Sequence, residues 1–494
     1  MSNSAQAMPQ DIEAPLLAGA RQLYLALQTR ELDAATREQA RTHLAHWLAQ
    51  ARTLPNELPE ALDDAAALER WMLQHVAAVG EQYQHYLSAR KQGAPRRYFS
   101  NRSHALYFLQ AVAPTKLVDG AWLYGLLRRW NDAGLHGLIQ TYLEELGDGV
   151  PDKNHVALYQ HLLATHGCER WQHLDDEHFV QGAIQLCLAN EAEHFLPELI
   201  GYNLGYEQLP LHLLITAYEL NELGIDPYYF TLHVTIDNAA AGHARKAAQS
   251  LQQACPVAGD VQDFYRRVAD GYRLNELGAG TLSVIASFDL QDELVRILQE
   301  KAVVGRHMHS NYCRVAGRNV NDWLAHPDQI PAFLSQLEKA GWIMRGEPAE
   351  HSRFWRLVHG ERAEMFGVFS EYEQQILRDW IATPAADNAV SEPSARRPAL
   401  HVVSHRAQRH AYPDASRPAA QSRITHLDTA RGVIRRHRDE SADFNHELRA
   451  LEERLAALDS KAAMMQALIP LMSPARHHTP AGLMATRIFR KLFA

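Results

Sequence analysis

The stretch FTLHVTIDNAAAGHA, residues 230–244, places a histidine and an aspartate four positions apart within an apolar segment. On a helix, this spacing brings His233 and Asp237 onto the same face. An imidazole nitrogen and a carboxylate oxygen are ligands that suit iron, and a buried carboxylate needs a charge partner or a metal. Taken alone, however, the pair fits a His–Asp hydrogen bond inside a helical core better than a metal site.

Two other segments carry carboxylates and histidines at helical spacing. Glu191, His194 and Glu198 follow one another at intervals of three and four, and Glu191-x-x-His194 has the form used in di-iron bundles. A ferritin-like bundle needs two such motifs, and the sequence offers no convincing second one. Upstream, Glu145 ends one predicted helix and His155 begins the next, after a glycine-rich turn. By themselves, these two residues are more simply interpreted as a solvated helix end and a surface histidine.

The composition excludes several classes of protein. With 46% hydrophobic and 22% charged residues, the chain is typical of a soluble globular protein. A formal charge of -9 disfavours a nucleic-acid binder. Four cysteines without a close pair indicate a reducing compartment. Because the N-terminus has no apolar core and no apolar run reaches the roughly 20 residues of a membrane span, we expect a cytoplasmic protein.

The motifs of several large enzyme classes are missing. The sequence contains no GxxxxGK[ST], GxGxxG, GxSxG or HExxH motif. Nucleotide-driven chemistry, a dinucleotide-binding fold, a hydrolase triad and a zinc peptidase are therefore all disfavoured.

Apolar residues recur at intervals of three and four over most of the chain, whereas strand-type alternation is scarce, so the predicted class is all-α. At 494 residues, two or three domains are expected. The predicted parts are an N-terminal helical region (1–95), a central helical bundle (100–300), a small aromatic-rich helical or winged extension (301–382), a flexible linker (383–424) and a C-terminal helical tail (425–494). In the tail, a heptad seam from Leu448 to Met465 predicts docking either on the chain's own domain or on a coiled-coil partner.

Three segments in order, EELGDG…NHVALYQHLL, FLPELIGYNLGYEQLP and DPYYFTLHVTIDNAAAGHA, together resemble the iron-containing redox enzymes, or haem-oxygenase-like di-iron oxidases. The resemblance covers about residues 100–300, and segment 341–373 is similar to the extension of longer members. It implies an all-α, haem-oxygenase-like helical bundle around one or two irons, here with additional N-terminal helices and a C-terminal helical extension.

The resemblance also implies a ligand set on the matching positions: Glu145, His155, Glu198, His233 and Asp237. The family usually has a second histidine three residues after the aspartate, where this chain has Ala240. His243 is the nearest substitute, although an ideal helix turns it roughly 240° away from Asp237. A local distortion of the helix at Gly242 is one way to bring it round. Alternative ligands, if the helix register differs, are Glu207, Glu219 and Glu222.

These observations lead to the hypothesis of a non-haem iron-dependent oxidoreductase with one or two irons per chain. Iron or manganese is favoured over zinc because the ligand set has N and O atoms without sulfur. The iron would activate O2 to oxidise a small organic metabolite. One alternative is a metal-free helical scaffold that retains the fold, as the missing histidine at position 240 suggests. A haem-handling protein on the same fold is another. The expected partner is a small-molecule substrate, without nucleic acid or a membrane span, and a homodimer is left open.

Overall fold

A computed structural model of the chain describes residues 19–29, 32–59, 62–236, 242–384 and 446–494. Helices dominate these residues, and the strands found there are the two-residue β1 (Arg314–Val315) and β2 (Arg318–Asn319), which pair antiparallel. The predicted all-α class is confirmed. Among the described helices, none combines the length and the apolar character that crossing a bilayer requires.

The N-terminal region consists of α1 (Ala20–Leu27), α2 (Ala34–Ala51) and α3 (Ala65–Lys91). The central bundle contains α4 (Arg102–Ala111), α5 (Ala113–Lys116), α6 (His136–Glu145), α7 (His155–His166), α8 (Val180–Asn190), α9 (Leu196–Tyr206), α10 (Leu211–Glu222), α11 (Tyr228–Ile236), α12 (His243–Gln253) and α13 (Val261–Arg273). Short 3₁₀ helices connect them at Ala121–Arg129, Ala133–Leu135, Gly147–Gly149, Pro151–Lys153, Asp176–Phe179 and Leu274–Glu276.

The extension contains α14 (Thr281–Ala286), α15 (Leu290–Gly305), α16 (Val320–Leu324), α17 (Ile330–Lys339), α18 (Arg353–Val358) and α19 (Glu371–Ala382), with 3₁₀ turns at Pro327–Gln329 and Ala349–His351. The tail contains α20 (His446–Ala456), α21 (Lys461–Leu468), a 3₁₀ turn at Ile469–Met472 and α22 (Pro480–Phe493).

Buried apolar side chains from Ala20 in α1 to Leu492 in α22 form one continuous core. The N-terminal helices and the tail therefore share the interior of the central bundle. The boundaries between the predicted domains remain a prediction, and nearly all of the predicted linker lies outside the described residues.

The predicted heptad seam is divided between two helices. It begins in α20, where Leu451 and Leu455 are buried, and resumes in α21 after a non-helical break over residues 457–460, where Ser460 caps α21. Met465 is fully buried in the common core. The seam thus packs on the protein's own body, which is the intramolecular alternative.

Helices α9 and α13 touch through their backbones. A Cβ atom added at Gly201 would lie 1.8 Å from the carbonyl oxygen of Val268, and one at Gly271 would lie 2.0 Å from the carbonyl oxygen of Glu198. Such an approach is open only to glycine, because any side chain would force the helices apart. This crossing fixes the position of α9 and of the residues that follow it.

Candidate metal centre

Six buried side chains from separate elements converge at the centre of the bundle. They are Asp119 after α5, Glu145 at the end of α6, His155 at the start of α7, Glu207 after α9, His233 in α11 and His243 at the start of α12. None of the six is more than 6% exposed. They form two groups, and in each group the potential ligand atoms lie within 4.8 Å of one another: Asp119, Glu145, His155 and His233 in the first, and Glu145, Glu207 and His243 in the second.

The turn between Glu145 and His155 folds back because its backbone is left-handed over three residues. Gly147, Asp148 and Gly149 have φ values of 61°, 54° and 79°. As a result, Nδ1 of His155 lies 2.5 Å from Oε2 of Glu145. The side chains of Glu145 and His155, ten positions apart in the sequence, are thereby in direct contact, as their place in one ligand set implies.

Asn154 holds the two ends of this turn together. Its Oδ1 accepts a hydrogen bond from the backbone N–H of Ala157 at 3.0 Å and so starts α7. Its Nδ2 donates to the carbonyl oxygen of Leu146 at 3.2 Å. His155 therefore begins its helix from a fixed position next to Glu145.

In the first group, Asp119 lies between two histidines. Its Oδ2 is 3.0 Å from Nε2 of His233 and 3.6 Å from Nδ1 of His155. Two tyrosines donate to the same carboxylate, Tyr229 to Oδ2 at 2.6 Å and Tyr206 to Oδ1 at 2.7 Å. Asp119 is thus oriented from both sides.

A second contact orients His233. Its Nδ1 donates to the carbonyl oxygen of Tyr229 at 2.8 Å, which leaves Nε2 directed into the group. A backbone carbonyl that fixes one imidazole nitrogen is the usual way in which a protein presents the other nitrogen to a metal.

In the second group, His243 lies among three carboxylates. Its Nδ1 is 3.2 Å from Oε1 of Glu145 and 3.2 Å from Oε2 of Glu207. Its Nε2 is 2.8 Å from Oε2 of Glu144, which also pairs with Lys246 at 2.6 Å. Glu145 therefore offers one oxygen to each group.

Burial and pairing set the charges of the first group. Burial alone would raise the pKa of Glu145, but His155 and His243 outweigh it and lower that pKa. Burial acts to lower the pKa of His155, whereas Glu145 and Asp119 raise it to about 10. The pKa of Asp119 lies well below its ordinary value because Lys116 and the neighbouring imidazoles overcome its burial. Both carboxylates of this group are accordingly ionised.

The charges of the second group are set by a different balance of burial and pairing. Burial raises the pKa of Glu207, and His243 offsets only part of that rise. The pKa of His243 is raised despite its burial, because Glu207, Glu144 and Glu145 all favour its charged form. Protonated imidazoles can offset the carboxylate charge here, a role that a divalent cation can take over with release of those protons.

The residues present fit a metal ion. Three carboxylates and three imidazoles without sulfur form the type of ligand set that iron and manganese prefer. One buried ligand atom, Oε1 of Glu207, makes no hydrogen bond within the described part of the chain. Buried polar atoms of this kind need a partner, and a cation would supply one.

The structure brings together four of the six residues that the sequence indicated: Glu145, His155, His233 and His243. It places Glu198 elsewhere, in an ion pair at 2.6 Å with Arg267 of α13. Asp237 lies outside the described residues, as does Ala240. Of the alternative ligands, Glu207 joins the cluster, whereas Glu219 and Glu222 do not.

Glu219 and Glu222 have other partners. Glu219 accepts hydrogen bonds from the backbone N–H groups of residues 97–99 and from Tyr86, and Glu222 pairs with Arg90.

Asp119 was not among the residues that the sequence indicated. The available signal is its place in KLVDGAWLYGLL, where an aspartate stands alone in an apolar segment. An ionised carboxylate in such a segment has to be paired or to bind a metal.

Comparisons with known proteins agree with this geometry. Neither the curated proteins nor the solved structures include a match to the chain. Residues 106–276, which contain all six converging side chains, match the family model described as iron-containing redox enzyme. The predicted resemblance is confirmed for this central part of the all-α protein, which is similar to the iron-containing redox enzymes.

Proposed function

We propose that the protein is a non-haem iron-dependent oxidoreductase that uses O2 to oxidise a small organic metabolite. The observation that carries this proposal is the position of Glu145. Its two oxygens lie at 2.5 Å from His155 and at 3.2 Å from His243, so that one carboxylate serves two ligand groups. The family match over residues 106–276 supports iron as the metal and redox chemistry as the activity.

The proposed ligand set assigns two irons to one chain. Asp119, Glu145, His155 and His233 would hold one, and Glu145, Glu207 and His243 would hold the other. Asp237, four residues after His233, stays in the proposed set on its spacing. Glu198 is left out, since Arg267 already pairs with its carboxylate.

Bound iron would supply the electrons and the coordination positions for O2 activation. The chain's own residues exclude water, because every side chain of the cluster is buried. They also supply a path for protons. Lys116 donates to the hydroxyl of Tyr206 at 3.1 Å, and that hydroxyl donates to Oδ1 of Asp119. Lys116 is only partly buried, so this chain of hydrogen bonds leads from the rim of the bundle to the cluster.

The test loads purified full-length protein with Fe(II) under anaerobic conditions, measures iron per chain, and then follows absorbance after exposure to O2. We expect about two irons per chain and a transient absorbance change. Glu207→Gln should lose one of the two irons. Glu198→Gln is the matched control, because it removes another buried carboxylate, one that lies in α9, the helix that Glu207 follows. This variant should retain both irons.

One observation favours a second candidate, a metal-free scaffold. His155 and His243 pair with the buried carboxylates so closely that the cluster is able to balance its own charge. Protein without bound iron, without an O2-dependent transient and without a response to Glu207→Gln would establish this candidate and reject the iron enzyme. A Soret band on the purified protein would instead indicate haem.

A further inference from the structure

The C-terminal segment 446–494 lies outside the family match, yet it packs on the turn that joins Glu145 to His155. Helix α22 covers the middle of that turn. A Cβ atom at Gly149 would lie 2.3 Å from the carbonyl oxygen of Leu483, so that the backbones of turn and helix are in contact.

Two arginines of α22 hold this contact in place. Nε of Arg487 donates to the carbonyl oxygen of Gly149 at 2.7 Å, and Arg490 forms an ion pair with Asp148. Both target residues have left-handed backbones, and Arg487 supplies the hydrogen bond to the carbonyl oxygen of Gly149.

A third contact lies just before α22. His477 is only 2% exposed, and its Nδ1 accepts a hydrogen bond from Nδ2 of Asn154 at 3.0 Å. The same Nδ2 donates to Leu146, and Asn154 immediately precedes His155. The tail thus supplies one partner of the residue that fixes both ends of the turn.

The tail also contacts α6, the helix that carries Glu145. The hydroxyl of Tyr142 donates to the carbonyl oxygen of Met472 at 2.6 Å, and both residues are fully buried. Tyr142 lies about one helical turn before Glu145. The segments that carry both Glu145 and His155 are therefore held from the same side by the tail.

We propose that residues 446–494 are an integral part of the metal centre and that His477 is a positioning residue, which acts through Asn154 to hold His155 against Glu145. This inference rests on the proposed metal site. The role assigned to the tail goes beyond covering apolar surface, because its polar contacts fall on the turn between two proposed ligands. Docking of the tail then becomes a condition for tight metal binding.

The experiment measures Co(II) binding by the full-length protein, both as a dissociation constant and as the visible absorption spectrum of the bound ion. His477→Leu removes the acceptor for Asn154 and should weaken Co(II) binding by about tenfold and alter the spectrum. His477→Asn offers a side-chain oxygen in place of Nδ1 and should restore most of the affinity. His478→Leu is the matched control, since Nδ1 of His478 makes no hydrogen bond in the described structure, and it should bind Co(II) like the wild type.

The outcomes separate the two proposals. Absence of Co(II) binding by the wild type would reject the metal site itself. If the wild type binds Co(II) and His477→Leu shows the same affinity and spectrum, the role of His477 is rejected while the site stands. Equal weakening by His477→Leu and His477→Asn would reduce His477 to packing and also reject the proposal. Should His477→Leu fail to fold, Arg487→Gln provides the same test, with weaker Co(II) binding supporting the role of the tail and unchanged binding rejecting it.

Discussion

At the scale of single residues, the centre depends on how closely the backbone approaches Glu145. Gly120, next to Asp119, has a left-handed backbone with φ of 77°, and a Cβ atom there would lie 2.8 Å from Cβ of Glu145. Both features demand glycine, one through backbone conformation and the other through space. Asp119 and Glu145 can therefore lie in the same ligand group because Gly120 has no side chain.

Gly120→Ala should therefore destabilise the protein and weaken metal binding together. A matched control is Gly341→Ala, because Gly341 has a similar φ of 72° but has no atom near the added Cβ within the described structure. Both variants bear the cost of a left-handed alanine, about 1 kcal/mol. Only Gly120→Ala should also displace Glu145 and lose Co(II) affinity, as measured by titration alongside thermal unfolding. Equal Co(II) affinity in the two variants would contradict this account of Gly120.

The sequence predicted much of the cluster and missed the part that depends on distant partners. Glu145, His155, His233 and His243 stand in local patterns of spacing and apolar flanks, and these residues do converge. Glu198 lies in the first turn of the apolar helix α9 and Glu207 directly follows its last residue, and their spacing does not show which of them is a ligand. What separates them is Arg267, 69 residues along the chain, which pairs with Glu198 and leaves Glu207 to the cluster. A pattern of spacings does not contain that information.

At the scale of elements, the crossing of α9 and α13 controls where Glu207 lies. The helices meet at Gly201 and Gly271 with backbone against backbone, so that their separation is set by the absence of side chains rather than by interdigitating ones. Glu207 follows the last residue of α9, and a shift of that helix moves its carboxylate away from His243.

Gly201→Ala should force α9 and α13 apart, since its methyl group would lie 1.8 Å from the carbonyl oxygen of Val268. We expect a loss of about 3 kcal/mol in the free energy of unfolding. Metal binding by the second group should weaken, while the first group still binds an ion. Gly280→Ala is the control, because that glycine has open space around it in the described structure. Thermal unfolding and metal per chain measure both effects, and a Gly201→Ala protein as stable as Gly280→Ala would refute the close-contact explanation.

At the scale of the whole molecule, the tail joins the end of the chain to its centre. The heptad pattern predicted that the tail would pack, but not where. The hydrogen bond between Asn154 and His477 spans 323 positions, and local periodicity does not identify a partner at that distance. The docked tail also buries His477 against the bundle. Burial, together with His478 and His155, lowers the pKa of its imidazole to about 3.

This burial predicts how stability depends on pH. The ordinary pKa of histidine is about 6.5, so above that pH His477 is neutral in both the folded and the unfolded chain. As the pH falls below 6.5, the unfolded chain takes up a proton that the folded chain does not, and stability is lost until the pH reaches about 3. At pH 5 this residue alone should cost about 2 kcal/mol. Nearby Glu145 and Asp119 act in the opposite direction on His477, and their effect is already included in its lowered pKa.

Thermal unfolding of the wild type and of His477→Asn between pH 7 and pH 5 isolates the contribution of His477 to this loss of stability. Asparagine does not titrate, and the other titratable groups are common to both proteins. The thermal midpoint of the wild type should fall more steeply with decreasing pH than that of the variant. Parallel curves would contradict this prediction, because they would show that His477 also takes up its proton in the folded state. A buried imidazole whose Nδ1 accepts a hydrogen bond from the Asn154 amide does not take up that proton.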